Sequence, residues 1–271
     1  MESHLARRLR AYLFSNGSIV LTSLIGHTYM KRSPFYDTLF RHVVFSAMLE
    51  YSARSKKKIH GDHRREIPLL DQLSKTGLYV ILGIVVEGVT KKLCVSHFVN
   101  ERGTSNIPRF IMWSFLYEII FDFFHYWMHR IEHIVPFLYQ YLHKTHHAYL
   151  HPSALTTFHQ NPIDLVLSNS IPNLLTLEIL KRFFNFRFSG FEFSLICSYK
   201  VFVEIAGHTG VHTNATAFPQ FMWLPKLFGI ELHTEDHDLH HSAPSKQCNF
   251  SKRFTLWDKC FGTYVKEDSN I

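Results

Sequence analysis

The sequence predicts an all-α membrane protein, in which the later apolar stretches form membrane helices and the polar C-terminal part forms a cap. Hydrophobic residues make up 46% of the 271 residues, and aromatic residues make up 15%. A single membrane span needs ~20 mostly apolar residues. The apolar stretches that approach this length occupy 77–89, 110–127, 163–180 and 188–206. From residue 233 onward the chain turns polar, which predicts a cap outside the bilayer.

Two earlier apolar stretches, 18–30 and 35–51, fit a membrane helix and a buried globular helix equally well. The first is short, and the second carries Asp37 and Arg41. Charged side chains inside a bilayer normally face a bundle interior. The later helices are therefore expected to turn their polar faces inward.

The charge balance favours a membrane over a nucleic acid as the partner. The formal net charge is +7, from 29 Lys and Arg against 22 Asp and Glu, without a long basic tail. The basic segment 54–65 lies between apolar stretches, and the positive-inside rule predicts that it is a cytosolic loop. The N-terminus lacks the apolar run of a secretory signal. The four cysteines are scattered without a CxxC pair, so we expect neither a disulfide framework nor a thiolate zinc site.

Histidine is the outlier of the composition. Of the 20 histidines, 14 lie between His125 and His241, and only six lie in the first 124 residues. Enrichment confined to one part of the chain indicates a site.

The histidines repeat two spacings that place imidazoles on one helical face. HxxxH occurs in HYWMH and in GHTGVH, and HxxHH occurs in HKTHH and in HDLHH. One HxxxH pair is more typical of a buried polar network than of a metal site. Four such groups within 117 residues predict metal binding, and ten ligands are too many for one mononuclear site. The sequence therefore predicts two ions held by His125, His129, His143, His146, His147, His208, His212, His237, His240 and His241.

Carboxylates accompany the first pair. Glu118 and Asp122 lie at helical spacing before His125 and His129, so the four form one polar stripe. A carboxylate one turn from a ligating histidine can accept its other N–H. Asp122 is therefore predicted to support the catalytic site without ligating the metal.

The motifs HxxxH, HxxHH and HxxHH, here called the first, second and third histidine boxes, occur in an order that resembles the fatty acid hydroxylase/sterol desaturase superfamily. Members of this superfamily are integral-membrane di-iron oxygenases. The segments FDFFHYWMHRIEH and HKTHHAYLHPSALTTFHQNPID are similar to its first and second boxes. HDLHHSAPSKQCNFSKRFTLWDKCFGTYV resembles its third box and tail. The resemblance runs from about residue 113 to 265. It implies a catalytic domain over 111–267 and leaves 1–110 without a named motif.

The resemblance implies two iron ions, for which zinc can substitute in a recombinant preparation, and O2 as co-substrate. It implies a multi-pass protein of the endoplasmic reticulum membrane, with a bundle of about four transmembrane helices and a cytosolic helical cap that holds the two ions. It supports the eight histidines of the HxxxH and HxxHH boxes most directly, together with His208. His212 is less secure, and His159 and His233 are further candidates. The resemblance assigns His133 and His151 to supporting positions or to a substrate channel.

The expected reaction is O2-dependent hydroxylation or desaturation of a lipid, and a sterol-like substrate is favoured. The sequence lacks the HPGG motif of a fused cytochrome b5 domain, so an external donor such as cytochrome b5 with its reductase is expected. Three alternatives stay open. They are a fatty-acyl or alkylglycerol hydroxylase, a histidine-rich membrane metal-binding or transport protein, and an inactive lipid-binding relative.

Overall fold

The computed structural model describes residues 4–30, 32–59, 69–98, 106–149, 152–213, 217–242 and 247–266. Within these ranges the secondary structure is helical, which confirms the predicted all-α class. Part of the basic segment, 60–65, lies outside the described residues. The α-helices are α1 His4–Ile25, α2 Pro34–Ala53, α3 Leu69–Cys94, α4 Ile107–Ile134, α5 Pro136–Tyr141, α6 Pro162–Leu165, α7 Ile171–Phe184, α8 Gly190–Gly207, α9 Trp223–Leu227, α10 Thr234–Ser242 and α11 Leu256–Cys260.

The long helices form one bundle. Helix α8 packs against α1 and α2, α2 packs against α3, and α3 packs against α7, which also contacts α4. The main hydrophobic core lies between these helices and is rich in aromatic side chains. Its fully buried members include Phe45, Phe121 and Ile205.

One helical stretch of the described residues is long and apolar enough to cross a membrane. It comprises α6, the π-turn Val166–Ser170 and α7, and it runs over Pro162–Phe184. Its mean hydropathy is 1.3 and half of it is buried inside the protein. Asn161 begins the stretch by accepting a hydrogen bond from the Ile163 N–H, and Pro162 occupies the first turn, where no amide donor is needed.

A buried charged cluster joins α2, α3 and α8. The Asp37 carboxylate accepts from Arg41 at 2.8 Å and from Lys91 at 2.6 Å. The guanidinium of Arg41 also donates to the Ser194 carbonyl oxygen at 2.9 Å. Each charge therefore has a partner, which buried ions require.

We expect Gly26→Ala to destabilise the bundle. A Cβ at Gly26 would overlap Asp37 Oδ1 and lie 2.6 Å from Arg41 Nη2, so the ion pair would have to shift. The expected loss is about 1–3 kcal/mol, measurable as a lower midpoint of thermal unfolding in detergent. Gly17→Ala is the matched control, because a Cβ there meets nothing within 4 Å. A gain of up to about 1 kcal/mol is expected at Gly17, from helix propensity. Equal midpoints for the two variants would contradict this account of the cluster.

Candidate metal centre

Nine buried or half-buried imidazoles converge in two groups near the C-terminal end of α4. Within each group, one ring nitrogen from every member lies within 4.8 Å of the others. The first group is His129, His133, His143, His147 and His240, and the second group is His146, His208, His237 and His241. The two groups touch, since the rings of His147 and His241 have centroids 4.6 Å apart. Groups of five and four histidines provide enough ligands for two metal ions.

Each HxxHH box is divided between the groups. In the second box His143 and His147 join the first group and His146 joins the second. In the third box the relation is reversed, because His237 and His241 join the second group and His240 joins the first. The sequence interpretation of each box as a single ligand face is therefore too simple. An i, i+4 pair enters one group, and the remaining histidine enters the other.

The second box also differs in local structure. HKTHH was expected to be α-helical, but His143–Ala148 is a 3₁₀ helix. Three residues per turn separate the rings of His146 and His147 more widely than an α-helix does, and their planes lie at 84°. This tighter turn allows adjacent residues to serve different groups.

In the first box, the two histidines that join a group lie one helical turn later than the sequence predicts. His129 and His133 on α4 join the first group, whereas His125 joins neither group. His125 donates from Nδ1 to the Ser168 carbonyl oxygen at 2.6 Å, within the π-turn that precedes α7. His125, His129 and His133 are spaced i, i+4, i+8, so both pairs match HxxxH. The spacing alone therefore does not distinguish the pair of His125 and His129 from the pair of His129 and His133.

Carbonyl oxygens fix the orientation of several rings. His129 Nδ1 lies 2.8 Å from the Phe250 oxygen, His240 Nδ1 2.7 Å from the Cys248 oxygen, and His208 Nδ1 2.7 Å from the Glu204 oxygen. A carbonyl oxygen only accepts hydrogen bonds, so each Nδ1 must carry the proton. The Nε2 atom of a neutral ring then presents a lone pair.

These lone pairs point at one another. His129 Nε2 lies 3.1 Å from His143 Nε2, and His237 Nε2 lies 3.0 Å from His208 Nε2. The Nδ1 proton of His129 is bound to the Phe250 oxygen, and that of His143 is bound to the Asp164 carboxylate. Neither Nε2 therefore carries a proton that it could donate to the other. Two nitrogens bound to one ion at ~2.0–2.1 Å would lie about 2.9–3.4 Å apart. The donor set and its spacing therefore fit a metal cation.

Burial keeps these imidazoles neutral. It lowers the pKa of His147, His237 and His241 well below the ordinary value, with neighbouring histidines adding to the effect. Burial lowers the pKa of His240 to about 3. Metal ligation requires the neutral form, which these rings keep at physiological pH. Among the residues that the structure describes, His240 Nε2 and both ring nitrogens of His241 have no hydrogen-bond partner.

Two buried acidic side chains lie beside His143, and Asp164 is the one within hydrogen-bond distance. His143 Nδ1 lies 3.1 Å from Asp164 Oδ2 and 3.8 Å from Glu132 Oε2, and all three residues are buried. Asp164 therefore accepts the Nδ1 proton and leaves Nε2 for the first group. A carboxylate in this position fixes the tautomer of a ligating histidine and raises its basicity. The sequence analysis assigned this role to Asp122 and missed Asp164, which lies 21 residues from His143.

Asp122 has a different set of partners. Its carboxylate accepts three backbone N–H groups, from Lys252 at 2.7 Å and from Arg253 and Phe254 at 3.0 Å. It makes no bond to His125, whose Nδ1 is bound to Ser168. Asp122 thus holds the segment after Phe250, whose carbonyl oxygen in turn orients His129. Asp122 therefore influences the first group indirectly, by holding the backbone segment that orients His129.

The C-terminal segment is tied to α4 at further points. Glu118, the other carboxylate of the predicted stripe, forms a buried ion pair with Arg253 at 2.8 Å. Asp258 accepts the N–H groups of Phe250 and Ser251, each at 2.8 Å. The carbonyl oxygens that orient His129 and His240 therefore come from a firmly held loop.

Besides His125, three sequence candidates lie outside both groups. His212 is 40% exposed and its Nδ1 lies 3.0 Å from Glu235 Oε1. His159 packs its ring edge-on against Tyr79 and Tyr149. His233 donates its backbone N–H to Asp236 Oδ2 at 2.9 Å, at the start of α10. His151 lies outside the described residues.

Two acidic residues of HTEDHDLHH, residues 233–241, lie at the start of α10. Glu235 and Asp236 occupy the first turn of α10, and His240 and His241 occupy its last turn. Carboxylates are favoured at the positive end of a helix.

A cavity of about 600 Å³ adjoins the second group. His208 and His237 line it, together with apolar side chains from α1, α2 and α8 such as Phe14, Met48 and Phe202. Its volume lies in the range of sites for small organic ligands. A ligand in this cavity would contact the histidines of the second group.

Comparison with known proteins points to one family. The model of the family described as fatty acid hydroxylase matches residues 114–263. The chain is 35% identical over 153 residues to a fatty acid hydroxylase of Lecanicillium sp, covering 55% of this chain and 40% of that protein. It is 30% identical over 151 residues to sphinganine C4-monooxygenase 1 of Arabidopsis thaliana, covering 54% and 52%.

A third relative extends the range of substrates. The C-4 methylsterol oxidase of Schizosaccharomyces pombe is 27% identical over 156 residues, which cover 57% of this chain and 46% of that protein. The chain thus spans about half the length of the curated relatives it matches. No solved structure matches the chain.

We expect His133→Ala to lower metal affinity by at least about tenfold. Loss of a residue that only supports a ligand typically costs about 10–100-fold, and loss of a ligand should cost no less. His125→Ala and His212→Ala are matched controls, since neither residue belongs to a group. Metal content of the three purified variants, measured by mass spectrometry after dialysis against a weak chelator, tests this. Metal loss in His125→Ala with retention in His133→Ala would restore the register that the sequence predicts.

We expect Asp164→Asn to lower metal affinity by about 10–100-fold. An amide is a weaker acceptor for the Nδ1 proton of His143, so the Nε2 lone pair becomes less basic. Glu178→Gln is the control, because this carboxylate lies on α7 and binds His97 and Arg182. Chelator titrations of both variants supply the measurement. Equal affinities would show that Asp164 has only a packing role.

Proposed function

The chain belongs to the fatty acid hydroxylase family, and we propose that it is a membrane oxidoreductase that uses O2 to hydroxylate or desaturate a lipid. The observation that carries this proposal is the convergence of nine imidazoles in two adjoining groups. An all-nitrogen donor set with neutral rings suits iron, zinc or copper. Within this family we infer two iron ions.

The chain's residues would divide the work as follows. The two histidine groups hold the ions, while the carbonyl oxygens at 204, 248 and 250 and the carboxylate of Asp164 fix the rings. The bound irons would supply the O2-dependent oxidation of an unactivated C–H bond. The apolar cavity walls hold the lipid against the second group and exclude water from that contact.

The substrate is proposed to be a lipid with an extended apolar body. The cavity of about 600 Å³ and its apolar lining support this class. The relatives' names cover a fatty acid hydroxylase, a sphinganine monooxygenase and a methylsterol oxidase. A sterol-like body remains the finer proposal, and a fatty-acyl or alkylglycerol chain is the alternative.

We propose a multi-pass arrangement with about four transmembrane helices and the metal groups in a cytosolic cap, in the endoplasmic reticulum. Besides the stretch Pro162–Phe184, α3 supports this arrangement. It exposes a continuous apolar stripe formed by Leu78, Ile81, Leu82, Val85, Val89 and Leu93. The stripe spans about 22 Å at the helical rise of 1.5 Å per residue. Asp37 on α2 and Lys91 on α3 face the interior of the bundle, as charged side chains are expected to do in lipid.

The N-terminal 110 residues are proposed to complete this bundle around the catalytic domain 111–267. Helices α1 and α2 both pack on α8, and both contribute to the walls of the cavity. Electrons are proposed to come from a separate donor such as cytochrome b5 with its reductase.

Purified protein loaded with iron, supplied with O2 and a chemical reductant, should oxidise at least one member of a lipid panel. The panel contains a C-4 methylsterol, a sphingoid base and a fatty acid, and products are identified by mass spectrometry. We expect His208→Ala to abolish product formation. His212→Ala, four residues away and outside both groups, should retain most of it.

The same preparation tests the alternative of a metal transporter. Reconstituted in vesicles, the protein should not carry iron or zinc across the bilayer. Metal flux without lipid products would overturn the proposed function. If His208→Ala formed lipid products at an unchanged level, the second group would not be required for oxidation.

A further inference from the structure

We propose that the cavity beside the second group recognises a lipid through an anionic polar end, a carboxylate, sulfate or phosphate. Arg8, Lys56 and Lys57 line this cavity together with His208 and His237. The inference rests on the proposed function only in taking the bound lipid to be the one that is oxidised. The inferred feature is the anionic end of that lipid, and it applies equally to a sterol body and to an acyl chain.

The two lysines are fixed beside the second group by backbone bonds. The His212 N–H donates to the Lys57 carbonyl oxygen at 2.9 Å, and the Ile59 N–H donates to the Gly210 oxygen at 3.1 Å. Lys58 and Val211 form an antiparallel bridge. The segment after α2 therefore runs along the turn that follows His208. Arg8 reaches the same cavity from α1.

No acid compensates these three cations within the part of the chain that the structure describes. Glu204 is the one carboxylate among the described residues that line the cavity, and it is bound to the ammonium group of Lys252. Lys91, a cation inside the bundle, has an acidic partner in Asp37 at 2.6 Å, whereas Lys56 and Lys57 keep solvent contact and Arg8 is half-buried. The cavity is therefore positively charged by three side chains that lack such a partner.

The surroundings strengthen the effect of these charges. Partial burial lowers the pKa of Lys56, although the residue keeps solvent contact. Apolar walls around a cavity lined by one sign of charge focus the field on its contents. An anion in the cavity would restore the lost solvation through charge-assisted hydrogen bonds.

The remaining lining determines the rest of the ligand. Met48, Phe202, Val203 and Leu232 supply apolar surface between the helices. Such walls favour a hydrocarbon body and disfavour a free inorganic anion. The complementary ligand is an amphiphile whose anionic end binds the cations while its body lies along the apolar walls.

The test compares ligands that share one apolar body. Calorimetric titration in neutral maltoside micelles would use two pairs, oleate with oleyl alcohol and cholesterol sulfate with cholesterol, and inorganic phosphate alone. We expect the anionic member of at least one pair to bind about tenfold or more tightly, with a preference that shrinks at high salt. Inorganic phosphate should not compete.

Arg8→Gln, Lys56→Gln and Lys57→Gln together should reduce the preference to about twofold or less, and each alone by about threefold, the effect of one partly exposed charge. Lys92→Gln is the matched control, since Lys92 is exposed on α3 and does not line the cavity. Thermal unfolding of the triple variant checks that it is folded.

Equal affinity for charged and neutral members of both pairs would overturn the inference, as would a preference that survives in the folded triple variant. If the triple variant lost only its association with anionic vesicles, the cations would serve the bilayer surface and the inference would fall. The outcome is independent of catalysis. Binding preference without lipid oxidation would leave the inference standing and remove the proposed function, and oxidation without preference would do the opposite.

Discussion

The fixed orientation of the imidazole rings is the constraint on which the rest of the site depends. Carbonyl oxygens and the Asp164 carboxylate take the Nδ1 protons of His129, His143, His208 and His240. The Nε2 lone pairs of His129 and His143 therefore face each other at 3.1 Å, where neutral nitrogens repel. A bound cation would turn this repulsion into coordination, and burial disfavours relief by protonation. The arrangement therefore fits a metal cation.

Distant parts of the chain maintain that orientation. The loop carrying the carbonyl oxygens of Cys248 and Phe250 is held by Asp258 and by Asp122 on α4. The π-turn before α7 supplies the carbonyl oxygen that binds His125. The same helices that form the bundle therefore set the ring orientations, and they also form the walls of the adjoining cavity.

The helical class and most of the converging histidines could be predicted from the sequence, because hydrophobic stretches and i, i+4 spacing are local signals. The register of the first box could not, since His125, His129 and His133 share one face of α4 and only tertiary structure separates them. The division of each HxxHH box depends on how its short helix meets the other elements. Asp122 was expected to serve His125, but its partners lie 130 to 132 residues away, beyond the reach of a spacing argument.

X-ray absorption spectroscopy of the purified, iron-loaded protein, combined with metal quantitation, tests the central claim most directly. The account predicts two ions per chain, each in a shell dominated by imidazole nitrogen at about 2.0–2.2 Å, with an adjacent metal as a further scatterer. One ion per chain would contradict it, as would a shell dominated by oxygen or sulfur.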